Sequence, residues 1–277
     1  MADKLGRDEV RNALAEDGAR ADVTTALLGP LADRAAVGEF VAEGRFVLAG
    51  LPIAAAVFQE LDPRAKVEVH CPEGEWTKVD KDLATVRTTA RAALAGERVA
   101  LNFLQHLSGV ATLTRRAVDA VAGTGTEITH TRKTTPGLRA LERYAVTVGG
   151  GVANRASLAD AVLWKDNHWM LLERADVRLA TVLRSAPPGV PVVVEVENEA
   201  QLEQALAAGV RHILADNQTP QGIARWVSRA GPGVRIQASG GITPETVRAY
   251  AEAGAALISI GSLTHSAPAA SIRFDIR

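Results

Sequence analysis

Between Thr131 and Arg155 the chain reads TRKTTPGLRALERYAVTVGGGVANR, gathering Arg132, Lys133, Arg139, Arg143 and Arg155 around a Thr-Pro-Gly turn and three consecutive glycines. Arginine binds carboxylate or phosphate through paired charge-assisted hydrogen bonds, each worth about 1.5–3 kcal/mol, and lysine adds a compact point charge. Glycine lets backbone come close to such a ligand. Further on, Lys165 and Asp166, Glu195 and Glu197, Asp216, Ser239 and Ser262 each stand at the end of a β-favouring run. One half of this set is basic and the other acidic. It suits a substrate that is anionic in several places and also carries hydroxyls or a divalent cation such as Mg²⁺.

The cationic site is local. Over 277 residues, 31 basic groups oppose 32 acidic ones for a net charge of -1, and 47% apolar with 23% charged residues describes a globular chain with no overall pull towards nucleic acid or membrane. The single cysteine, Cys71, cannot form an internal disulfide and no Cys/His spacing resembles a zinc site, so a reducing, cytoplasmic setting is expected. MADKLGRDEV opens with charges, and apolar runs such as GLPIAAAVF fall short of the ~18 residues of a membrane span.

The elements that must position these groups follow a rhythm. EITHTRK (127–133), AVLWKDNH (161–168), VVVEVE (192–197), HILADN (212–217), VRIQASGG (234–241) and LISIGS (257–262) are short strands ending in polar residues, each before an amphipathic segment. That alternation predicts parallel βα units. Asn198, with Gln201 three residues on, and Thr219 and Thr243, each followed by proline, are expected N-caps, and Gly209 is an expected stop. The first half differs: a helix at about 7–16, β-favouring pieces near 38–48 and 65–89, then one long helix over 96–123. Strands grouped before a long helix predict a separate α/β layer domain with a boundary near 110–125.

In a parallel βα barrel, chemistry sits at the carboxyl ends of the strands. The loops ASGGI (238–242) and SIGSL (259–263) expose backbone N–H groups there, and the helix after the first adds its positive end, a phosphate-holding arrangement. Plainer readings stand beside these. Arg139 and Arg143, four apart, also fit a solvated helix face; Lys165 could pair with Asp166; Glu197 could cap a helix; His70, His106 and His212 read as ordinary polar residues. Strand-end Lys133 and Lys165 also admit a Schiff-base aldolase, which the density of permanent cations disfavours.

GERVALNFLQHLSGVAT (96–112), TRKTTPGLRALERYAV (131–146), GGG…R…L.D..L.KDNH (149–168), VEVE (194–197), LADN (214–217), ASGGI (238–242) and ISIGSLTHSAP (258–268), with ADVTTALL (21–28) and VLAGL (47–51), resemble the quinolinate phosphoribosyltransferase family over nearly the whole chain. The resemblance implies an α/β fold: an N-terminal α/β sandwich domain over 1–112, joined by 268–277, and an open, incomplete, TIM-barrel-like α/β barrel over 113–267. It implies transfer of phosphoribosyl from phosphoribosyl pyrophosphate to quinolinate, giving nicotinate mononucleotide, pyrophosphate and carbon dioxide in NAD biosynthesis. Lys133, Lys165, Glu195 and Asp216 are then the catalytic set. Glu195 and Asp216 serve the ribose and Mg²⁺, directly or indirectly. Arg98, Arg132, Arg155, Asn154, His130 and Arg139 bind substrate, and Ser239, Gly240, Gly241 and Gly261 hold the 5-phosphate. The implied assembly is a homodimer or a larger oligomer up to a hexamer, with Arg98 supplied in trans.

The chain departs from the family pattern at Asn154, where histidine is usual, at His130, where aspartate is usual, at Gln237, where glutamate is usual, and at Ala21, where glycine is usual. Histidine can become cationic, whereas asparagine only hydrogen-bonds. Asn154 reads first as drift within the family, with the basic cluster compensating; the alternatives are a paralogue acting on another pyridine or aromatic carboxylate, or a catalytically impaired nucleotide-binding relative. His130 and Gln237 are candidates for a coupled change.

Overall fold

The computed structural model describes residues 5–277; Met1–Lys4, the first residues of the expected N-terminal domain, lie outside it. The elements run α1 (Arg7–Glu16), α2 (Val23–Ala26), β1 (Ala35–Ala42), α3 (Leu51–Leu61), β2 (Lys66–Val69), β3 (Asp82–Thr89), α4 (Ala90–Ala120), β4 (Glu127–Thr129), α5 (Arg139–Val148), β5 (Val162–Trp164), α6 (Asp166–Ala175), α7 (Leu179–Leu183), β6 (Val192–Val196), α8 (Glu199–Ala207), β7 (His212–Asp216), α9 (Pro220–Ala230), β8 (Arg235–Ser239), α10 (Val247–Glu252), β9 (Leu257–Ser259), α11 (Ser262–His265) and β10 (Ile272–Ile276).

Two compact units result, one holding residues up to 115 with 134–150 and 263–277, the other 116–133 with 151–262. The expected domains are 1–112 with 268–277, and 113–267, with the main boundary at residue 112. That position falls inside α4, whose helix-forming residues run on without a stop. Residues 134–150 are tied to the first unit by their own polar groups: the Tyr144 hydroxyl donates to Glu73, and the Glu142 carboxylate meets His106 Nε2 at 2.9 Å.

The first unit carries an antiparallel sheet in the order β10-β1-β3-β2. Its core is aromatic: Phe40 and Phe274 have ring centroids 4.7 Å apart, and Phe58 stacks on Phe274 at 5.5 Å. Gly38 in β1 makes room for this cluster, because a Cβ there would overlap the Phe274 ring. α4 begins six residues earlier than the sequence suggests. Gly96, which reads as a helix start, is instead an interior position closely approached by Phe58 and Leu61.

In the second unit six parallel strands lie in the order β4-β9-β8-β7-β6-β5, and no ladder joins β4 to β5 among the described residues. The sheet is thus an open α/β barrel, with every predicted strand present. Val194, Val196, Ile213, Ala215, Ile236, Ala238 and Ile258 are buried on one face, while Glu195, Leu214, Gln237 and Leu257 alternate with them. The caps explain why the chain turns where it does. Asn198 accepts from Gln201 N–H at 3.0 Å and Thr219 from Gly222 N–H at 3.1 Å. Thr243 does not cap α10; it closes a turn with Thr246, and the helix starts at Val247. Among the described residues no helix is long and apolar enough to cross a membrane.

Gly38→Ala is expected to destabilise the protein by about 1–3 kcal/mol through overpacking against Phe274, with the loss recovered in part by adding Phe274→Leu. Thermal unfolding of the two variants checks this; an unchanged Tm for Gly38→Ala would contradict the packing described.

Candidate active site

Lys165 follows the last residue of β5 and stands at the start of α6, with extended backbone at φ -129°. Its Nζ lies 2.9 Å from Glu195 Oε2. Glu195 is the fourth residue of β6 and is 8% exposed; Trp169, in the first turn of α6, donates from Nε1 to its carbonyl at 2.8 Å. Burial pushes the Glu195 carboxyl above its ordinary range; Lys165 opposes this, and Asp216 and Asp166 add to it. Asp216, closing β7, is likewise raised by burial, with Lys165 and Lys133 pulling it down and Asp166 pushing it up. Charges act at this strength only across short distances, so Lys133, Lys165, Asp166, Glu195 and Asp216 form one cluster at the strand ends.

Arg155 and Arg132 border it. Arg155 is half-buried and donates from Nη1 to the Ala161 carbonyl at 3.1 Å. Burial first, then the neighbouring Arg132, lowers its pKa, while Asp160 and Glu195 oppose the change; the guanidinium remains charged. Asp160 folds the loop that carries Arg155, accepting from Ala156 N–H at 2.7 Å, Ser157 N–H at 3.0 Å and Ser157 Oγ at 2.8 Å. Arg132 is half-buried and Lys133 exposed, and the Lys133 N–H bonds Thr131 Oγ1 at 3.0 Å. Two guanidiniums held this close repel one another, and a polyanion would relieve that repulsion.

His130 and Asn154 are in contact with each other. His130 is 1% exposed, and its Nδ1 lies 3.0 Å from the Thr131 carbonyl. A carbonyl only accepts, so the proton sits on Nδ1 and Nε2 accepts from the Asn154 N–H at 3.3 Å. The Asn154 amide donates to the His130 carbonyl at 2.9 Å and accepts from Arg155 N–H at 2.7 Å. Gln237 pairs elsewhere: its Oε1 accepts from His212 Nε2 at 2.7 Å. Burial lowers the His212 pKa, and His212 sits at the first residue of β7, the opposite end from the charged cluster.

Ser239 ends β8, half-buried, and Gly240 and Gly241 follow with φ 97° and 61°. A Cβ on Gly240 would overlap the Asn217 amide and come within 2.9 Å of its backbone nitrogen. Asn217, itself left-handed at φ 52°, donates from its backbone to the Ser239 carbonyl at 2.9 Å and from Nδ2 to Asp216 Oδ2 at 2.7 Å. The helix expected to point its positive end at this loop does not do so directly, because a turn over 243–246 intervenes and α10 spans only six residues. Gly261 follows β9, half-buried. Arg98 and Arg139 belong to the first unit: Arg98 is exposed on α4, and Arg139 Nε donates to Thr134 Oγ1 at 3.0 Å.

Sequence reasoning did not single out Asn217, Asp160 or His168 for the site. Asn217 had a signal, since asparagine after a strand is a usual carrier of left-handed backbone. Asp160 and His168 act through loop and cap geometry that spacing does not display.

Residues 110–275 match the family of the quinolinate phosphoribosyl transferase C-terminal domain, and residues 22–108 that of its N-terminal domain. The chain is 39% identical to the nicotinate-nucleotide pyrophosphorylase (carboxylating) of Mycobacterium leprae, covering 98% of this chain and 96% of the relative. It is also 39% identical to a probable enzyme of that name from Synechocystis, over 89% and 84% of the two chains. The crystal structure of nicotinate-nucleotide pyrophosphorylase from Ehrlichia chaffeensis superposes with a TM-score of 0.89 at 35% identity, covering 98% of each chain. With both domains matched and relatives this similar along nearly its full length, the chain belongs to the quinolinate phosphoribosyltransferase family.

Proposed function

We propose that this protein is a carboxylating nicotinate-nucleotide pyrophosphorylase, joining quinolinate to phosphoribosyl pyrophosphate and releasing pyrophosphate and carbon dioxide. Beside family membership, the observation that carries this function is the cluster itself: Arg132, Lys133, Arg155 and Lys165 brought together against Glu195 and Asp216 at the ends of parallel strands.

The chemistry fits those groups. The ring nitrogen of a pyridine dicarboxylate is a poor nucleophile, and displacement at the anomeric carbon passes through an oxocarbenium-like state. Alignment and stabilisation of the departing pyrophosphate therefore dominate. The cations hold the ring carboxylates and the phosphates, Glu195 and Asp216 face the ribose, and the Ser239-Gly240-Gly241 loop offers backbone N–H groups to the 5-phosphate. Once the nitrogen is quaternised, its positive charge stabilises the electron pair left on the adjacent ring carbon as carbon dioxide departs, and that carbon then takes a proton from water, so no base is needed for the loss of carbon dioxide.

Among the described residues no group of three or more possible metal ligands occurs. Two carboxylates, one of them paired with Lys165, suit a Mg²⁺ that enters on the substrate's phosphates better than a resident all-protein cage. Glu195 and Asp216 would complete its shell, and the ion would neutralise charge on the departing pyrophosphate. The exposed Arg98 on α4 supports an assembly, a homodimer or larger, in which the partner subunit's Arg98 completes the site. A lone free cysteine supports a cytoplasmic setting.

The alternative of an altered acceptor rests on Asn154. Its amide bonds the backbone of His130 and Arg155, which supports a role in shaping the loop rather than in choosing a substrate. Asn154→Ala should accordingly cost about 1–3 kcal/mol of stability, read as a lower Tm. Asn154→His with raised turnover on quinolinate would instead favour the altered-acceptor alternative.

Magnesium-dependent pyrophosphate release, assayed over a panel of pyridine mono- and dicarboxylates, is expected to select the 2,3-dicarboxylate. Release with a different acid alone would contradict the proposed substrate. Glu195 and Asp216 also predict a trade of stability for activity. Their folded pKa values lie above the ordinary range, so the fold prefers their protonated forms, and their contribution to stability falls as pH rises through those folded values. Glu195→Gln or Asp216→Asn at pH 7.5 is expected to raise stability by on the order of 1 kcal/mol while lowering kcat about 10²-fold. A lower Tm with full activity would contradict both parts.

A further inference from the structure

The position before the first residue of a helix is normally held by Ser, Thr, Asp or Asn, whose side-chain oxygen accepts from the orphan N–H groups of the first turn. In α6 that position belongs to Lys165. An ammonium has three donors and no acceptor, so Lys165 cannot cap its own helix, and its Nζ is directed instead to Glu195 at 2.9 Å. A local rule is broken at a functional residue, and something else must order the helix start.

That something is His168, the third helical residue. Its Nδ1 accepts from the Lys165 backbone N–H at 3.0 Å, and its own backbone N–H donates to the Lys165 carbonyl at 2.9 Å. This is one half of a capping box, with imidazole in the place usually taken by Glu or Gln. The ring is steadied by Trp164, whose centroid lies 5.1 Å away at 40°. Trp169, the next residue, fastens the same turn to β6 through the Glu195 carbonyl at 2.8 Å. The two ends of the Lys165–Glu195 pair are therefore set by adjacent residues of α6: His168 fixes the backbone of the cation and Trp169 that of the anion.

We infer that His168 is a positioning residue for Lys165: by accepting the Lys165 backbone N–H it fixes where the ammonium meets Glu195, without itself touching substrate. Its effect on turnover rests on the function proposed above, whereas its effect on the placement of Lys165 does not.

The test pairs His168→Leu, which keeps bulk against Trp164 but has no acceptor, with His168→Gln, which restores an acceptor at the third helical position. Two readouts are taken on the full chain: kcat and KM for phosphoribosyl pyrophosphate and quinolinate, and the rate at which an amine-acylating reagent labels Lys165, followed by mass spectrometry with the exposed Lys66, Lys78 and Lys81 as internal references. His168→Leu is expected to lower kcat about tenfold with a smaller change in KM and to speed labelling of Lys165 alone. His168→Gln should bring both readouts most of the way back. Unchanged kcat and labelling in His168→Leu, or equal losses in the Leu and Gln variants, would overturn the inference. If His168→Leu does not fold, His168→Gln decides: near-parental labelling supports the role of the acceptor, and labelling as fast as at Lys66 overturns it. Should the parent show no pyrophosphate release, the proposed function fails, and labelling alone still judges the placement of Lys165.

Discussion

Keeping Glu195 ionised while it is buried beside two other carboxylates is the constraint on which the strand-end cluster depends. Burial, Asp216 and Asp166 all favour its protonated form, and Lys165 at 2.9 Å is the group that opposes them. Asp216 is in the same position, with Lys165 and Lys133 against burial and Asp166. On the cationic side Arg132 and Arg155 crowd each other. Neither half is comfortable alone. Arranged together on one open parallel sheet, they form a surface whose dense, mixed charge suits a ligand with several negative groups and hydroxyls. Such strained electrostatics are a usual consequence of tuning a site for chemistry rather than for stability.

Much of this arrangement was legible in the residues. Six β-favouring runs with polar ends predict parallel strands, and all six are present, because a strand buried on both sides demands that composition. The caps at Asn198 and Thr219 were legible because their oxygens have one good use, the N–H groups three residues on. Arg132, Lys133, Lys165, Glu195 and Asp216 stand out for the same reason: charged groups at or just beyond the carboxyl ends of such strands have few structural uses.

What could not be read involves partners distant in sequence or choices between competing local structures. Gly96 looks like the start of α4, yet it lies inside the helix because Phe58 needs the space a side chain would fill. Thr243 followed by proline fits a cap, but its turn with Thr246 takes precedence and shortens α10. The departures at His130 and Gln237 suggested a common cause. They have separate partners, Asn154 and His212, and only the strand register shows which residues meet. The attachment of residues 134–150 to the first unit rests on Glu73 and His106, far away in the chain.

The most direct measurement is a crystal structure of the protein with quinolinate, phosphoribosyl pyrophosphate and Mg²⁺ bound to a slow variant such as Glu195→Gln. The ring carboxylates and the pyrophosphate are expected among Arg132, Lys133, Arg155 and Lys165, with the ribose towards Asp216. Ligands bound away from these strand ends, with the four cations turned outward to water, would contradict that placement.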